Sequence, residues 1–328
     1  KIGLVSGSVF SDIDNDGDPD LILAMEWGPI TVLNNNNGKF IDITSEVGLI
    51  NYKGWWNGVA TGDFNEDGFM DIVATNWGTN TKYHFSLDHP LKIYFNDFDD
   101  NNILDIVEAH YDDEFQDFVP ERGFSCISNA IPFIREEKQT FYNYAQSSLG
   151  DIFGNSLTKA PYLEANTLES TVFINSGNEF TPVILPFEAQ ITTAMHAGVA
   201  DINGDGHEDI FVVNWQGQSN LYHNDGDNTY SLVTEEAGMG IYFESSRAGC
   251  WLDYDRDGDL DLYMVNRLLE ELNILYRNNG DGTFSDVTQT AGVDGHIDKM
   301  GLVVIAFDYN NDLWPDIYIG NDMDVGNI

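Results

Sequence analysis

Short apolar runs separated by acidic turns recur along the chain, and residues 246–288 show the unit most plainly. Small and apolar residues at Ser246–Leu252 lead into an acid-rich loop, and the β-rich run Asp261–Asn266 follows it. A third run begins at 275–277 and ends in the Asn-Asn-Gly-Asp-Gly turn of 278–282, after which 283–287 alternates apolar and polar residues. Runs this short, bounded by Gly, Asn and Asp, are strand signals. They predict four strands in each unit of about 50 residues, the proportions of one β-propeller blade.

The acidic loop fixes the period. A nine-residue pattern, D-x-[DN]-x-[DN]-[G]-x-x-D, occurs at 12–20, 63–71, 97–105, 201–209, 253–261 and 308–316. Successive starts lie 51, 34, 104, 52 and 55 residues apart, a beat near 52 with 104 as its double. A second signature keeps the same beat, starting at Val32, Leu221 and Leu275, with a weaker copy at Val172. Two interleaved motifs on one period identify a repeat protein. A sandwich would not repeat so faithfully, and a parallel β-helix has a much shorter period.

The expected fold is therefore all-β: a propeller of four-stranded blades, seven in the complete ring, with 1–328 as one propeller region of about six repeats. A partly helical insertion within a blade is expected over 111–168. There Ile134, Lys138, Phe141, Ala145, Leu149 and Ile152 recur at helical spacing, with Pro132 near a helix start. Residues 1–4 resemble the tail of a fourth strand, like 239–241, and 320–328 stop before a third strand is due. The expectation is a fragment open at both ends.

The loop pattern suits a hard cation. Alternate positions 1, 3 and 5 of a tight loop aim oxygens at one centre, position 7 adds a backbone carbonyl, and the aspartate at 9 closes the shell. Glycine at position 6 supplies the positive φ that turns the loop back. The candidate ligands are Asp12, Asp14, Asp16, Asp18 and Asp20; Asp63, Asn65, Asp67, Phe69 and Asp71; and Asp97, Asp99, Asn101, Ile103 and Asp105. The later loops offer Asp201, Asn203, Asp205, His207 and Asp209; Asp253, Asp255, Asp257, Asp259 and Asp261; and Asp308, Asn310, Asp312 and Asp316. Oxygen donors without cysteine point to Ca²⁺, five to six ions per chain, rather than to Zn²⁺ or Cu²⁺. Without a cation such crowded carboxylates repel one another. The first and fifth loops keep four aspartates and a glycine and should bind best; the sixth, with Leu313 at the glycine position, should bind worst. An EF-hand is excluded, since five of the six loops carry Leu23, Ala74, Val212, Met264 or Ile319 where that motif needs glutamate. The third has Glu108 there, but strand-like flanks.

Composition agrees with this reading. Of 55 acidic residues nearly half lie in the six loops, and 14 Lys and Arg leave a net charge of −41, which opposes nucleic acid and anionic membrane partners. No apolar run approaches the 18 residues of a membrane span. Two cysteines, Cys126 and Cys250, make at most one bridge or two buried thiols. The seven histidines form no metal-binding spacing, and neither a nucleophile elbow nor a P-loop is present. Trp27, Trp77 and Trp215 each follow the second strand of a blade, and Trp55 and Trp56 adjoin Gly54. They are either packing residues between blades or an aromatic surface for a glycan or protein.

These loops, with the apolar runs at 21–24, 72–75 and 210–214 behind them, resemble the FG-GAP/VCBS repeats of integrin α-type propellers. The N-x-G-[DN]-G-x-F-x-D-V-T segments look like the bacterial extracellular subgroup found with the acidic-cartilage-protein (ASPIC/UnbV) module. The resemblance implies that the loop joins the first two strands of a blade and binds Ca²⁺. The functional expectation is a calcium-stabilised, non-enzymatic binding, adhesion or assembly module, secreted, periplasmic or on the cell surface. It would hold a protein or carbohydrate ligand on a propeller face or on the 111–168 insertion. The alternatives are a polysaccharide lyase or hydrolase built on the propeller, and an accessory subunit of a membrane-associated complex.

Overall fold

A computed structural model describes residues 2–83, 85–240, 245–268, 271–295 and 300–322. The readings made at residues 1, 241 and 323–328, and the histidines at 84 and 296, lie outside the described residues. The chain divides into two compact units: Lys1–Asn51 with Trp56–Asn80 and Leu168–Ile328, and Tyr52–Trp55 with Thr81–Thr167.

The larger unit is built of antiparallel blades, each strand paired with the next. The first runs through Leu4–Ser11, Asp20–Pro29, Thr31–Asn36 and Lys39–Asp42. The second takes Gly58–Gly62, Asp71–Thr75, Thr171–Asn175 and Phe180–Ile184. The third is Ala194–Ala200, Asp209–Asn214, Asn220–Asn224 and Tyr230–Leu232. The fourth is Ser246–Leu252, Asp261–Asn266, Ile274–Asn278 and Phe284–Asp286, within a residue or two of the strands expected from the sequence. Met300–Phe307 and Asp316–Asp322 form a final hairpin. In each case the acidic loop joins the first strand to the second.

Blades stack face to face, which explains why the second strands read as continuous apolar runs. Every residue of Asp71–Thr75, Asp209–Asn214 and Asp261–Asn266 is buried. Phe64, Val73 and Val172 of the second blade pack with Ala197, Ile210 and Tyr222 of the third. Phe211 and Leu221 meet Leu262 and Tyr276 in the same way, and Tyr263 and Val265 meet Val304 and Ile319. The first strands come closest of all. A β-carbon on Gly58 would lie 2.9 Å from the Met195 carbonyl and 3.1 Å from the His196 α-carbon.

The smaller unit departs from the expected 111–168 insertion. The second blade is interrupted between Asp71–Thr75 and Thr171–Asn175, so the inserted stretch starts well before residue 111 and carries a sheet of its own. Its strand order is Asp117–Pro120, Asp105–Asp112, Leu91–Asn96, Tyr162–Ala165. The third acidic loop joins the two central strands of this sheet, not an edge strand to its neighbour, and because it lies within the inserted stretch its start falls off the 52-residue beat.

The expected helical track is broken into short pieces, including Phe133–Lys138, Phe141–Ala145 and Leu149–Phe153. Gln139 takes φ 61°, and Thr140 and Ser148 each restart a helix as side-chain caps, Ser148 in a capping box with Asp151. Ile134, Leu149 and Ile152 are buried against Phe98, Val107 and Phe153, whereas Phe141 faces solvent. An ion-pair cluster ties this unit's strands to its loops: Glu121 accepts from Lys82 at 2.6 Å and lies 2.7 Å from His110 Nδ1, while Arg122 pairs with Glu108 at 2.7 Å. Both cysteines are free thiols, Cys126 exposed rather than buried and Cys250 partly covered. Burial pushes the Cys250 thiol up to about 12.

Candidate metal centres

All six loops fold by one hydrogen-bond scheme. The aspartate at position 1 accepts from the backbone N–H at position 6 over 2.8–3.3 Å, in every loop from 12–20 to 308–316. The side chain at position 5 accepts from the N–H at position 7 over 2.7–3.0 Å. The aspartate at position 9 accepts from the N–H at position 2 over 2.9–3.3 Å. Two residues per loop are left-handed. Position 6 is glycine in four loops, Asn102 (φ 63°) in the third and Leu313 (φ 71°) in the sixth. Position 4 is also left-handed, at Asn15, Glu66, Asp100, Gly204, Arg256 and Asn311, a requirement the sequence pattern did not reveal.

Backbone donors occupy some of these carboxylate oxygens and leave others directed inward. Three loops bring one oxygen from each of three aspartates within 4.8 Å of one another: Asp12, Asp14 and Asp20; Asp97, Asp99 and Asp105; Asp253, Asp255 and Asp261. Buried Oδ1 atoms of Asp99, Asp253 and Asp255 have no hydrogen-bond partner among the described residues. An orphaned, buried carboxylate oxygen facing two other carboxylates is an acceptor with no donor, and a hard cation is the group that fits it. In the second and fourth loops the position-3 amide turns its N–H to a neighbour instead, Asn65 to Asp67 at 3.0 Å and Asn203 to Asp205 at 3.1 Å.

The aspartate at position 9 is the most enclosed. Asp20, Asp71, Asp209 and Asp261 are 0% exposed. Burial, aided by the charges of Asp67 and Asp63 and opposed by backbone hydrogen bonds, pushes Asp71 up to about 7. Burial likewise raises Asp261 to about 6.

Sequence reasoning read the recurring Asn-x-Gly of the second signature as a turn and missed its larger role. Asn175, Asn224 and Asn278 each donate through Nδ2 to two carbonyls. One belongs to position 8 of the same blade's loop; the other belongs to position 2 of the preceding blade's loop. Asn224 reaches Glu208 at 3.3 Å and Phe64 at 2.8 Å; Asn278 reaches Leu260 at 3.3 Å and Ile202 at 3.0 Å. Asn175 bridges Met70 at 3.1 Å and Ile13 at 2.9 Å. Their backbone N–H groups donate to the position-9 aspartates Asp71, Asp209 and Asp261. One asparagine thus couples its own blade's acidic loop, its own third strand and the preceding blade's loop.

The histidines are less isolated than their spacing suggests. His223 lies 2.9 Å from Asp209, and His207 of the fourth loop lies 2.6 Å from Glu66 of the second. Among the tryptophans, Trp56 is fully buried, edge-on to Phe173, and Trp27 is also buried, so these two are packing residues and not a ligand surface. Trp77 and Trp215 are partly exposed, as is Trp55 in the smaller unit.

A model of the FG-GAP-like repeat matches residues 12–74, 201–264 and 253–319, more than half of the chain, and passes over the inserted sheet with the third loop. Cartilage acidic protein 1 of Xenopus tropicalis is 23% identical over 346 residues, covering 96% of this chain and 48% of that protein. The Homo sapiens protein of the same name is 23% identical over 330 residues, covering 96% and 47%. The chain spans about half the length of the curated relatives it matches. Among solved structures, BBS1N in complex with ARL6DN aligns with a TM-score of 0.37 at 8% identity, over 97% of this chain and 76% of that one. Six acidic loops folded by one hydrogen-bond scheme, four-stranded antiparallel blades and the match along most of the blades place the chain in the FG-GAP-like repeat family.

Proposed function

We propose that the chain is a calcium-stabilised binding or assembly module that works outside the cell. The observation that carries this reading is the convergence of three aspartates in the first, third and fifth loops, with buried oxygens in the third and fifth that lack a donor among the described residues. Ca²⁺ accepts six to eight oxygens in flexible geometry, and extracellular modules bind it at about 10⁻⁴–10⁻³ M, a range met outside cells. Five to six ions are expected, tightest at loops 12–20 and 253–261 and weakest at 308–316. Six would offset about 12 of the 41 net negative charges. Likeness to proteins named cartilage acidic protein supports the extracellular setting. With the acids committed to metal, the surfaces left for a protein or glycan ligand are the blade ends away from the loops and the inserted unit.

A thermal melt with and without a calcium chelator, with calcium counted on the same sample, tests the reading. A large fall in melting temperature together with about five ions per chain supports it. An unchanged melt with no bound calcium overturns it.

A further inference from the structure

Two guanidinium groups share one aromatic ring in the larger unit. Arg247, the second residue of Ser246–Leu252, lies 5.3 Å from the Trp215 ring centre, and Arg267, just past Asp261–Asn266, lies 5.5 Å from it. Both stand at the ends of these paired strands remote from the loop 253–261. Arg267 Nη2 donates to Asp322 at 2.8 Å, but its Nε–H is buried and has no acceptor among the described residues. Arg247 Nη1 donates to the Met195 thioether at 3.4 Å, a weak acceptor. Burial and the neighbouring Arg267 charge push the Arg247 guanidinium down, with Asp322 pulling the other way.

The local balance is unusual for this chain. Acids outnumber bases 55 to 14, yet here two partly buried cations meet one carboxylate among the described residues. A buried charged donor left without an acceptor is costly, and an incoming anion removes that cost. We propose that Trp215, Arg247 and Arg267 form a binding site for a single carboxylate carried by a small ligand. Guanidinium forks match a planar carboxylate in geometry, and Trp215 holds both forks in place by cation–π contact. The chain's overall negative charge repels a polyanion, so the ligand carries one such group and not a string of them. The site lies at the strand ends opposite the metal loops and needs no bound calcium for its chemistry.

Six arginines make the test direct. Protein labelled with ¹⁵N at arginine is titrated with sodium acetate, and separately with sulfate and phosphate, at constant ionic strength while the Nε–H resonances are followed. Saturable shifts of Arg247 and Arg267 with acetate, and none at Arg122, Arg135, Arg256 or Arg277, are expected. Arg247→Gln should weaken the acetate midpoint about tenfold, the loss of one charge-assisted contact. Trp215→Phe, which keeps a ring under both forks, should weaken it less. Tighter binding of sulfate or phosphate than acetate overturns the carboxylate assignment. Shifts that are linear and equal at all six arginines, or absent at Arg247 and Arg267, overturn the site. Because calcium is counted separately, neither result bears on the metal reading.

Discussion

Replacing Asn224 by alanine should cost far more stability than its position in a turn motif suggests. The side chain is 0% exposed and makes three hydrogen bonds: Nδ2 to Phe64 O at 2.8 Å, Nδ2 to Glu208 O at 3.3 Å, and Oδ1 from Gly226 N–H at 3.1 Å. At about 0.5–1.5 kcal/mol each, with buried carbonyls left unpaired, the expected loss is about 2–4 kcal/mol. Asn35 supplies an internal control in the first blade. It donates to Pro19 O at 3.0 Å and accepts from Gly38 N–H at 2.8 Å, and among the described residues it makes no bond to another blade. Asn35→Ala should therefore lose about 1–2 kcal/mol. Urea unfolding of the calcium-saturated protein, with the denaturant slope unchanged between variants, measures both. Asn224→Asp should be at least as damaging as alanine, because it keeps the acceptor and turns a carboxylate toward two carbonyls. If Asn224→Ala loses no more than Asn35→Ala, the bond between blades contributes nothing, and the argument fails.

Three further outcomes follow from other features. Burial holds Asp71 protonated up to about pH 7 in the metal-free fold, against 3.8 in the unfolded chain, so the folded state binds more protons between those values. Calcium-stripped protein should therefore lose stability as pH rises from about 4 to about 7; Asp71→Asn should flatten that trend in melts across pH, and a rise in its place would contradict the assignment. Leu313 is exposed and left-handed at φ 71°, a strain of about 1–2 kcal/mol that exceeds the entropy cost of glycine, so Leu313→Gly should raise the melting point slightly; a lower melting point would show the strain is absent. Gly58→Ala should destabilise by about 1–3 kcal/mol in urea unfolding, because its β-carbon meets backbone atoms that cannot yield, and a neutral result would refute that packing.

The blades were legible because sheet stacking leaves its mark on sequence. Second strands buried on both faces must be apolar throughout, and the loop scheme demands aspartate at fixed positions. Ser246–Leu252 and Asp261–Asn266 could be read directly for that reason. The inserted sheet was hidden because its loop, 97–105, carries the same signature on a different strand order. The broken helices were hidden because apolar spacing persists across Gln139 and Ser148, where caps end one helix and start another. The asparagine bridges were missed for a different reason. An Asn-x-Gly turn looks the same whether its amide faces water or a neighbouring blade, and only packing decides between them. The clustering of Arg247 and Arg267 at Trp215 likewise has no sequence period, since it joins one residue from each of three strand ends.

The interruption of the second blade is closed at its base. Gly78 N–H donates to Leu168 O at 2.9 Å and Asn76 N–H to Ser170 Oγ at 3.0 Å, so the chain leaves and re-enters the blade through one hydrogen-bonded doorway. What hangs beyond that doorway matters little to the blade, because each doubling of a loop's length costs only about 0.6 kcal/mol in closure entropy. This hairpin is therefore a socket: a position in the chain where the inserted segment can be enlarged, trimmed or exchanged while the second blade keeps its register.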